Sequence, residues 1–113
     1  MIRIYHNPRC SKSRQGLAIL ETSGKKFEII SYLKDQLTLP QLEVIISKLG
    51  IDPIELVRKN ESIWKSDYKD KKLSKKDIMN AMIAHPKLIE RPIVVTENKA
   101  IIGRPPENIL NII

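Results

Sequence analysis

The residue with the clearest chemical potential is Cys10, which lies in the segment His6-Asn-Pro-Arg-Cys10-Ser-Lys-Ser-Arg14. A lone cysteine is more often a small buried apolar residue than a nucleophile. Here, however, it stands where a predicted strand gives way to a predicted helix, and the free N–H groups of a helix N-terminus stabilise an anion. Arg9, Lys12 and Arg14 add positive charge. Because such surroundings lower the pKa of a thiol, the segment predicts a nucleophilic thiolate that also attracts oxyanions.

Cys10 is the only cysteine of the chain, and Ser13 occupies the second position of the C-x-x-S pattern. A single cysteine excludes an internal disulfide and a Cys-rich zinc site, and we expect no bound metal. Without a resolving cysteine, any adduct on Cys10 must be resolved by an outside thiol. Glutathione and a glutaredoxin-like protein are the candidates, and a reducing cytosol is the expected compartment.

The elements around Cys10 form a predicted βαβ unit. Residues 1–6 alternate like a strand, and a helix is expected from Cys10 or Ser11 to about Thr22. The β-branched segment 27–32 predicts a second strand. Because a helix separates the two strands, we expect them to be parallel.

The middle of the chain, from about residue 38 to 89, predicts helices and no strand. Capping signals begin three of them, at Thr38, Asp52 and Ser74. The first carries the i, i+3, i+4, i+7 spacing of an amphipathic helix in Leu42, Ile45, Ile46 and Leu49.

The strand pattern returns near the end of the chain. Residues 92–96 and 100–103 predict a hairpin, and Pro105-Pro106 begins a last helix that carries Ile109, Leu110, Ile112 and Ile113. The element order is therefore βαβ, helices, ββα. We expect one α/β domain over residues 1–113.

Composition and charge restrict the partners. The 20 Lys and Arg outnumber the 13 Asp and Glu, for a net charge of +7, which favours anionic ligands. The basic stretch 69–76 lacks the aromatic interleaving of single-strand binders, so we expect a solvated loop and no nucleic-acid partner. No apolar run reaches the roughly 18 residues of a membrane span, and no signal peptide precedes the first strand. A cytoplasmic protein with no membrane partner is expected.

Four ordered motifs resemble the glutaredoxin-coupled arsenate reductase family (ArsC, related to Spx). They are His6-Asn-Pro-x-Cys10-x-x-Ser-Arg14, Leu56-Val-Arg-Lys-Asn60, Glu90-Arg-Pro-Ile-Val-Val95 and Gly103-Arg-Pro-Pro106. The resemblance implies a thioredoxin-like fold with a helical insertion, which agrees with the element order. It also implies an arsenate reductase that uses glutathione as co-substrate and glutaredoxin as partner, with no bound cofactor.

The resemblance also assigns the site. Cys10 matches the family nucleophile, and Arg58, Arg91 and Arg104 match the arginines that bind arsenate or a similar oxyanion. The supporting positions are His6, Ser13, Arg14 and Pro92, of which Pro92 matches a proline that is cis in thioredoxin-like folds. At the position of Arg58, the neighbouring Lys59 is an alternative candidate.

Two other functions stay open at this stage. A Spx-like regulator that binds RNA polymerase would share the fold, although typical members sense oxidation through C-x-x-C and this chain has Ser13. A monothiol redox protein without arsenate activity is also compatible with C-x-x-S. The departure Ser11-Lys12, where the family's reductases often have small residues, is compatible with a different oxyanion substrate.

Overall fold

Four strands form one mixed sheet in the order β2-β1-β3-β4, in a computed structural model that describes residues 1–113. The strands are β1 (Ile2–Tyr5), β2 (Phe27–Ile30), β3 (Ile93–Val95) and β4 (Ala100–Ile102). β1 is parallel to β2, as predicted, and antiparallel to β3, which pairs with β4 as an antiparallel hairpin. This is the sheet of a thioredoxin-like fold.

Helix α1 (Ser11–Ser23) connects the two parallel strands. Cys10 is its N-cap residue, and Gly24 ends it in the left-handed conformation with φ of 73°, which glycine adopts without a steric penalty. The predicted helix bounds are therefore confirmed within a residue. Leu20 is fully buried, whereas Leu17 is half-buried.

The sheet and α1 share an aliphatic core with the C-terminal segment. Its fully buried members are Ile4, Leu20, Val94 and Ile109. The predicted last helix is a 3-10 helix, Pro106–Asn111, so Ile112 and Ile113 lie beyond it and Leu110 is exposed. Ile109 is the residue of this segment that the core buries completely.

Pro92 lies between α1 and the final strand, after a cis peptide bond to Arg91. A Cβ atom added to Gly16 would lie 2.8 Å from Pro92 Cγ, and one added to Gly103 would be equally close. The buried proline ring therefore packs directly on two glycine backbones. This contact brings the segment that carries Arg91 against the helix that begins at Cys10.

The chain divides into two units, residues 1–35 with 91–113, and residues 36–90. The first contains the sheet. The second contains the predicted helical insertion, with helices α2 (Leu39–Leu49), α3 (Ser62–Asp67) and α4 (Lys75–Ala84) and 3-10 helices Pro53–Leu56 and Pro86–Leu88. It has no strand, only an isolated bridge between Val57 and Ile89.

The three predicted helix starts in the insertion are confirmed. Capping boxes form at Thr38, Asp52 and Ser74. Helix α3 was not predicted, because six residues are too few for an apolar period. Its Trp64 is buried and stacks on Tyr68 with ring centroids 5.5 Å apart. None of the helices is both long and apolar enough to cross a membrane.

Substituting Gly16→Ala tests the Pro92 contact. Alanine inside a helix normally stabilises by up to about 1 kcal/mol relative to glycine. Here the new methyl group would meet a buried ring, so we expect a loss of about 1–3 kcal/mol in the free energy of unfolding. Urea denaturation measures this loss. The control Gln15→Ala, on the exposed face of α1, should be nearly neutral, and a stabilised Gly16→Ala variant would contradict the packing.

Candidate active site

Cys10 stands at the N-cap of α1, in the loop that follows the central strand β1. Its N–H donates to the carbonyl oxygen of Asn7 at 3.0 Å, and its own carbonyl oxygen accepts from the N–H of Arg14 at 3.0 Å. The backbone is thus held on both sides of the sulfur. The thiol side chain makes no capping hydrogen bond and is partly accessible.

A buried hydrogen-bond network shapes this loop. The Nδ1 atom of His6 lies 2.6 Å from the Oγ atom of Ser13, and the same Oγ accepts from the N–H of Asn7 at 2.9 Å. Burial lowers the pKa of His6, and the charge of Arg14 also lowers it, whereas a hydrogen bond with the Ser13 backbone raises it. The neutral form of the ring is therefore favoured, and its Nδ1 atom shares a hydrogen bond with the Ser13 hydroxyl. The Ser13 side chain therefore holds the loop.

Two further contacts restrain the residues just before Cys10. The amide oxygen of Asn7 accepts from the N–H of Arg9 at 3.0 Å, and the guanidinium of Arg14 donates to the carbonyl oxygen of Pro8 at 2.9 Å. The Arg14 side chain thus supports the loop by binding the loop's backbone at Pro8. The sequence indicated a turn at Asn7-Pro8 but did not assign the Asn7 side chain a role in the site.

Two of the three predicted arginines meet the thiol. Arg104 donates from Nη2 to the Sγ atom of Cys10 at 3.5 Å, and from Nε to the carbonyl oxygen of Arg91 at 2.9 Å. The side chain of Arg91 also hydrogen-bonds the sulfur. Both arginines precede cis prolines, Pro92 and Pro105. The first cis bond was predicted, whereas the second was not.

The pKa of Cys10 is lowered from its ordinary value by a balance of opposed effects. Partial burial is the largest single effect and raises the pKa. The backbone N–H groups of Ser13 and Lys12 and the guanidinium of Arg91 lower the pKa and together outweigh burial. Two of these donors belong to the first turn of α1, so the helix N-terminus acts on the sulfur as predicted.

Arg58 belongs to the helical unit. It follows Val57, the C-cap residue of the 3-10 helix Pro53–Leu56. Its N–H donates to the carbonyl oxygen of Leu88 at 2.7 Å. The Nη1 atom of its guanidinium is buried without a hydrogen-bond partner, as expected of a group whose acceptor is a ligand. Its role in oxyanion binding stays a prediction.

The arrangement around Cys10 suits nucleophilic attack on an anion. A thiolate is the reactive form of cysteine, and planar guanidinium groups donate paired hydrogen bonds to tetrahedral oxyanions. No group of three or more His, Cys, Asp or Glu side chains forms a metal site. The Cys10 thiol and the guanidinium groups of Arg91 and Arg104 together support thiol chemistry on an oxyanion.

Replacing Arg104 with glutamine tests the electrostatic part of this site. Because the guanidinium favours the thiolate, Arg104→Gln should raise the pKa of Cys10 and slow alkylation at pH values below that pKa. The pH dependence of iodoacetamide alkylation measures the effect. The control Lys99→Gln removes the same charge from the β3–β4 loop and should leave the profile unchanged. Identical profiles for both variants would contradict the contact.

Comparison with known proteins identifies the family of the chain. The ArsC family model matches residues 5–112. An arsenate reductase of Haemophilus influenzae is 46% identical, over 97% of this chain and 97% of its own. The uncharacterized protein YfgD of Escherichia coli K12 is 43% identical, over 99% and 96%. The structure of an arsenate reductase from Vibrio cholerae superposes with a TM-score of 0.94 at 42% identity, covering 99% and 97% of the two chains. The chain therefore belongs to the ArsC family.

Proposed function

We propose that this protein reduces arsenate to arsenite, with Cys10 as the nucleophile and glutathione and glutaredoxin as the reductants. The observation that carries the proposal is the contact of the Cys10 sulfur with a helix N-terminus and two guanidinium groups, one of them at 3.5 Å. Similarity to proteins named arsenate reductase selects arsenate among the tetrahedral oxyanions.

In the first step, the thiolate of Cys10 attacks arsenic(V). A sulfur–arsenic bond forms, and one arsenate oxygen leaves as water after it takes up protons. Arg91 and Arg104 stabilise the negative charge on the remaining oxygens, a form of electrostatic catalysis. Because its surroundings lower the pKa of Cys10, more of the thiol is present as the nucleophilic thiolate.

In the second step, the thiolate of glutathione attacks the sulfur of Cys10. A disulfide forms between the two sulfurs, and the sulfur–arsenic bond breaks with its electron pair on arsenic. Arsenic(V) is thereby reduced to arsenic(III) and leaves as arsenite, while two thiolates are oxidised to one disulfide. Cys10 is left glutathionylated.

Glutaredoxin then restores the enzyme. Its thiolate attacks the glutathione sulfur of the mixed disulfide, which releases Cys10 as a thiolate. A second glutathione reduces the glutaredoxin mixed disulfide and yields oxidised glutathione. The absence of a second cysteine in this chain is the reason that an outside thiol must complete the cycle.

Replacing the nucleophile is the direct test. Arsenate-dependent oxidation of NADPH, coupled through glutathione, glutaredoxin and glutathione reductase, should occur with the wild type and vanish with Cys10→Ser. Serine keeps the shape, but its hydroxyl stays protonated. Equal rates for the two proteins would remove Cys10 from the chemistry. No rate for either would refute the arsenate assignment and favour a non-enzymatic ArsC relative.

The arginine pair has a separate test. Arg91→Lys and Arg104→Lys keep the positive charge but lose the planar fork, so the KM for arsenate should rise about tenfold in each variant. Steady-state kinetics with arsenate varied at saturating glutathione measures the change. Arg3→Lys, at an exposed ion pair with Glu28 at 3.6 Å, is the matched control and should behave as wild type. Unchanged KM values in both site variants would rule out the fork as the arsenate ligand.

A further inference from the structure

A cleft of about 320 Å³ opens beside the Cys10 loop, on the side of strand β2. One wall is the segment that precedes the nucleophile, and the other is the turn that follows β2. The lining residues are His6, Asn7, Pro8, Arg9, Ser31, Leu33 and Lys34. None of the arginines assigned to arsenate lies in this set, so the cleft is separate from the oxyanion site.

Hydrogen bonds hold both walls. The N–H of His6 donates to the carbonyl oxygen of Ile30 at 3.0 Å, which continues the parallel pairing of β1 and β2 past their ends. In the turn, the N–H groups of Lys34 and Asp35 both donate to the carbonyl oxygen of Ser31 at 2.9 Å. The cleft is thus formed by backbone that is already ordered, as is usual for small-molecule sites.

The side chains that line the cleft suit an anionic ligand that also has polar and apolar groups. Arg9 and Lys34 supply two cations, and no Asp or Glu lines the cleft. Because the Ser13 bond uses Nδ1 of His6, the remaining ring nitrogen is Nε2, and with the Ser31 hydroxyl it adds hydrogen-bonding capacity. Leu33 is 46% exposed and offers apolar surface.

We propose that this cleft binds glutathione, with a carboxylate of the tripeptide at Lys34 and Arg9. The inference rests on the proposed function, which requires a thiol co-substrate, and it adds the site at which that thiol is held. Glutathione carries two carboxylates and one amine, so its net negative charge matches the lining. Since Arg9 directly precedes Cys10 in the chain, a thiol bound here lies beside the nucleophile's loop.

A disulfide-exchange assay without arsenate tests the site. Cys10 is first converted to its mixed disulfide with 5-thio-2-nitrobenzoate. The thiolate of the added thiol then attacks the Cys10 sulfur. A new disulfide forms, and the coloured thionitrobenzoate anion leaves with the electron pair of the broken sulfur–sulfur bond. The release rate is compared for glutathione and for 2-mercaptoethanol, a small neutral thiol that lacks carboxylates.

Lys34→Glu is the test variant, because Lys34 is exposed and its substitution should not affect folding. Release by glutathione should fall about tenfold, a loss of about 1.4 kcal/mol that is typical of a charge-assisted contact. Release by 2-mercaptoethanol should be unchanged. The wild-type rate should also saturate with glutathione and remain linear with 2-mercaptoethanol.

Lys26→Glu is the matched control. It reverses the same charge at the start of β2, whereas Lys34 follows the other end of that strand. Equal slowing of release by glutathione in both variants would show an effect of the protein's net charge alone and would overturn the site. An unchanged rate for Lys34→Glu would overturn it as well. Because arsenate is absent, a failed arsenate assay with a selective glutathione effect would refute the proposed function and leave the cleft assignment intact.

Discussion

The stabilisation of one negative charge, on the sulfur of Cys10, is the constraint on which the rest of the structure depends. Partial burial disfavours that charge, and backbone N–H groups of α1 together with the Arg91 guanidinium reverse the effect. Both stabilising effects on the sulfur depend on how other elements of the fold are placed. The N–H groups require the helix to begin immediately after Cys10, and Arg91 requires the strand region that begins with Pro92 to lie against that helix.

Small residues make this approach possible. Gly16 on α1 and Gly103 after β4 leave room for the buried ring of Pro92, and Ile109 closes the same region from the C-terminal 3-10 helix. The packing of the sheet unit's core therefore also determines the position of Arg91 near Cys10. A methyl group added at Gly16 would act on the site by displacing the segment that carries Arg91.

The Cys10 loop shows how a thiolate site can use serine where related redox motifs use a second cysteine. The Ser13 hydroxyl joins His6 to the backbone of Asn7, while the Ser13 N–H faces the sulfur. The side chain thus has a positioning role and the backbone an electrostatic one. With one cysteine in the chain, Cys10 cannot close an internal disulfide, and the cleft beside its loop is lined by the cations Arg9 and Lys34.

By itself the sequence determined the element order, the parallel first strand pair, the three capped helices of the insertion and the position of Cys10 at a helix start, because those features depend on local spacing and capping chemistry. It did not reveal α3, whose six residues are ordered by the burial of Trp64, or the 3-10 character of the last helix. Only the tertiary structure decided that Arg91 and Arg104 reach the sulfur, that Asn7 and Ser13 hold its loop, and that a cleft lies beside it. Those contacts join residues up to 94 positions apart, and such distances in sequence carry no local signal.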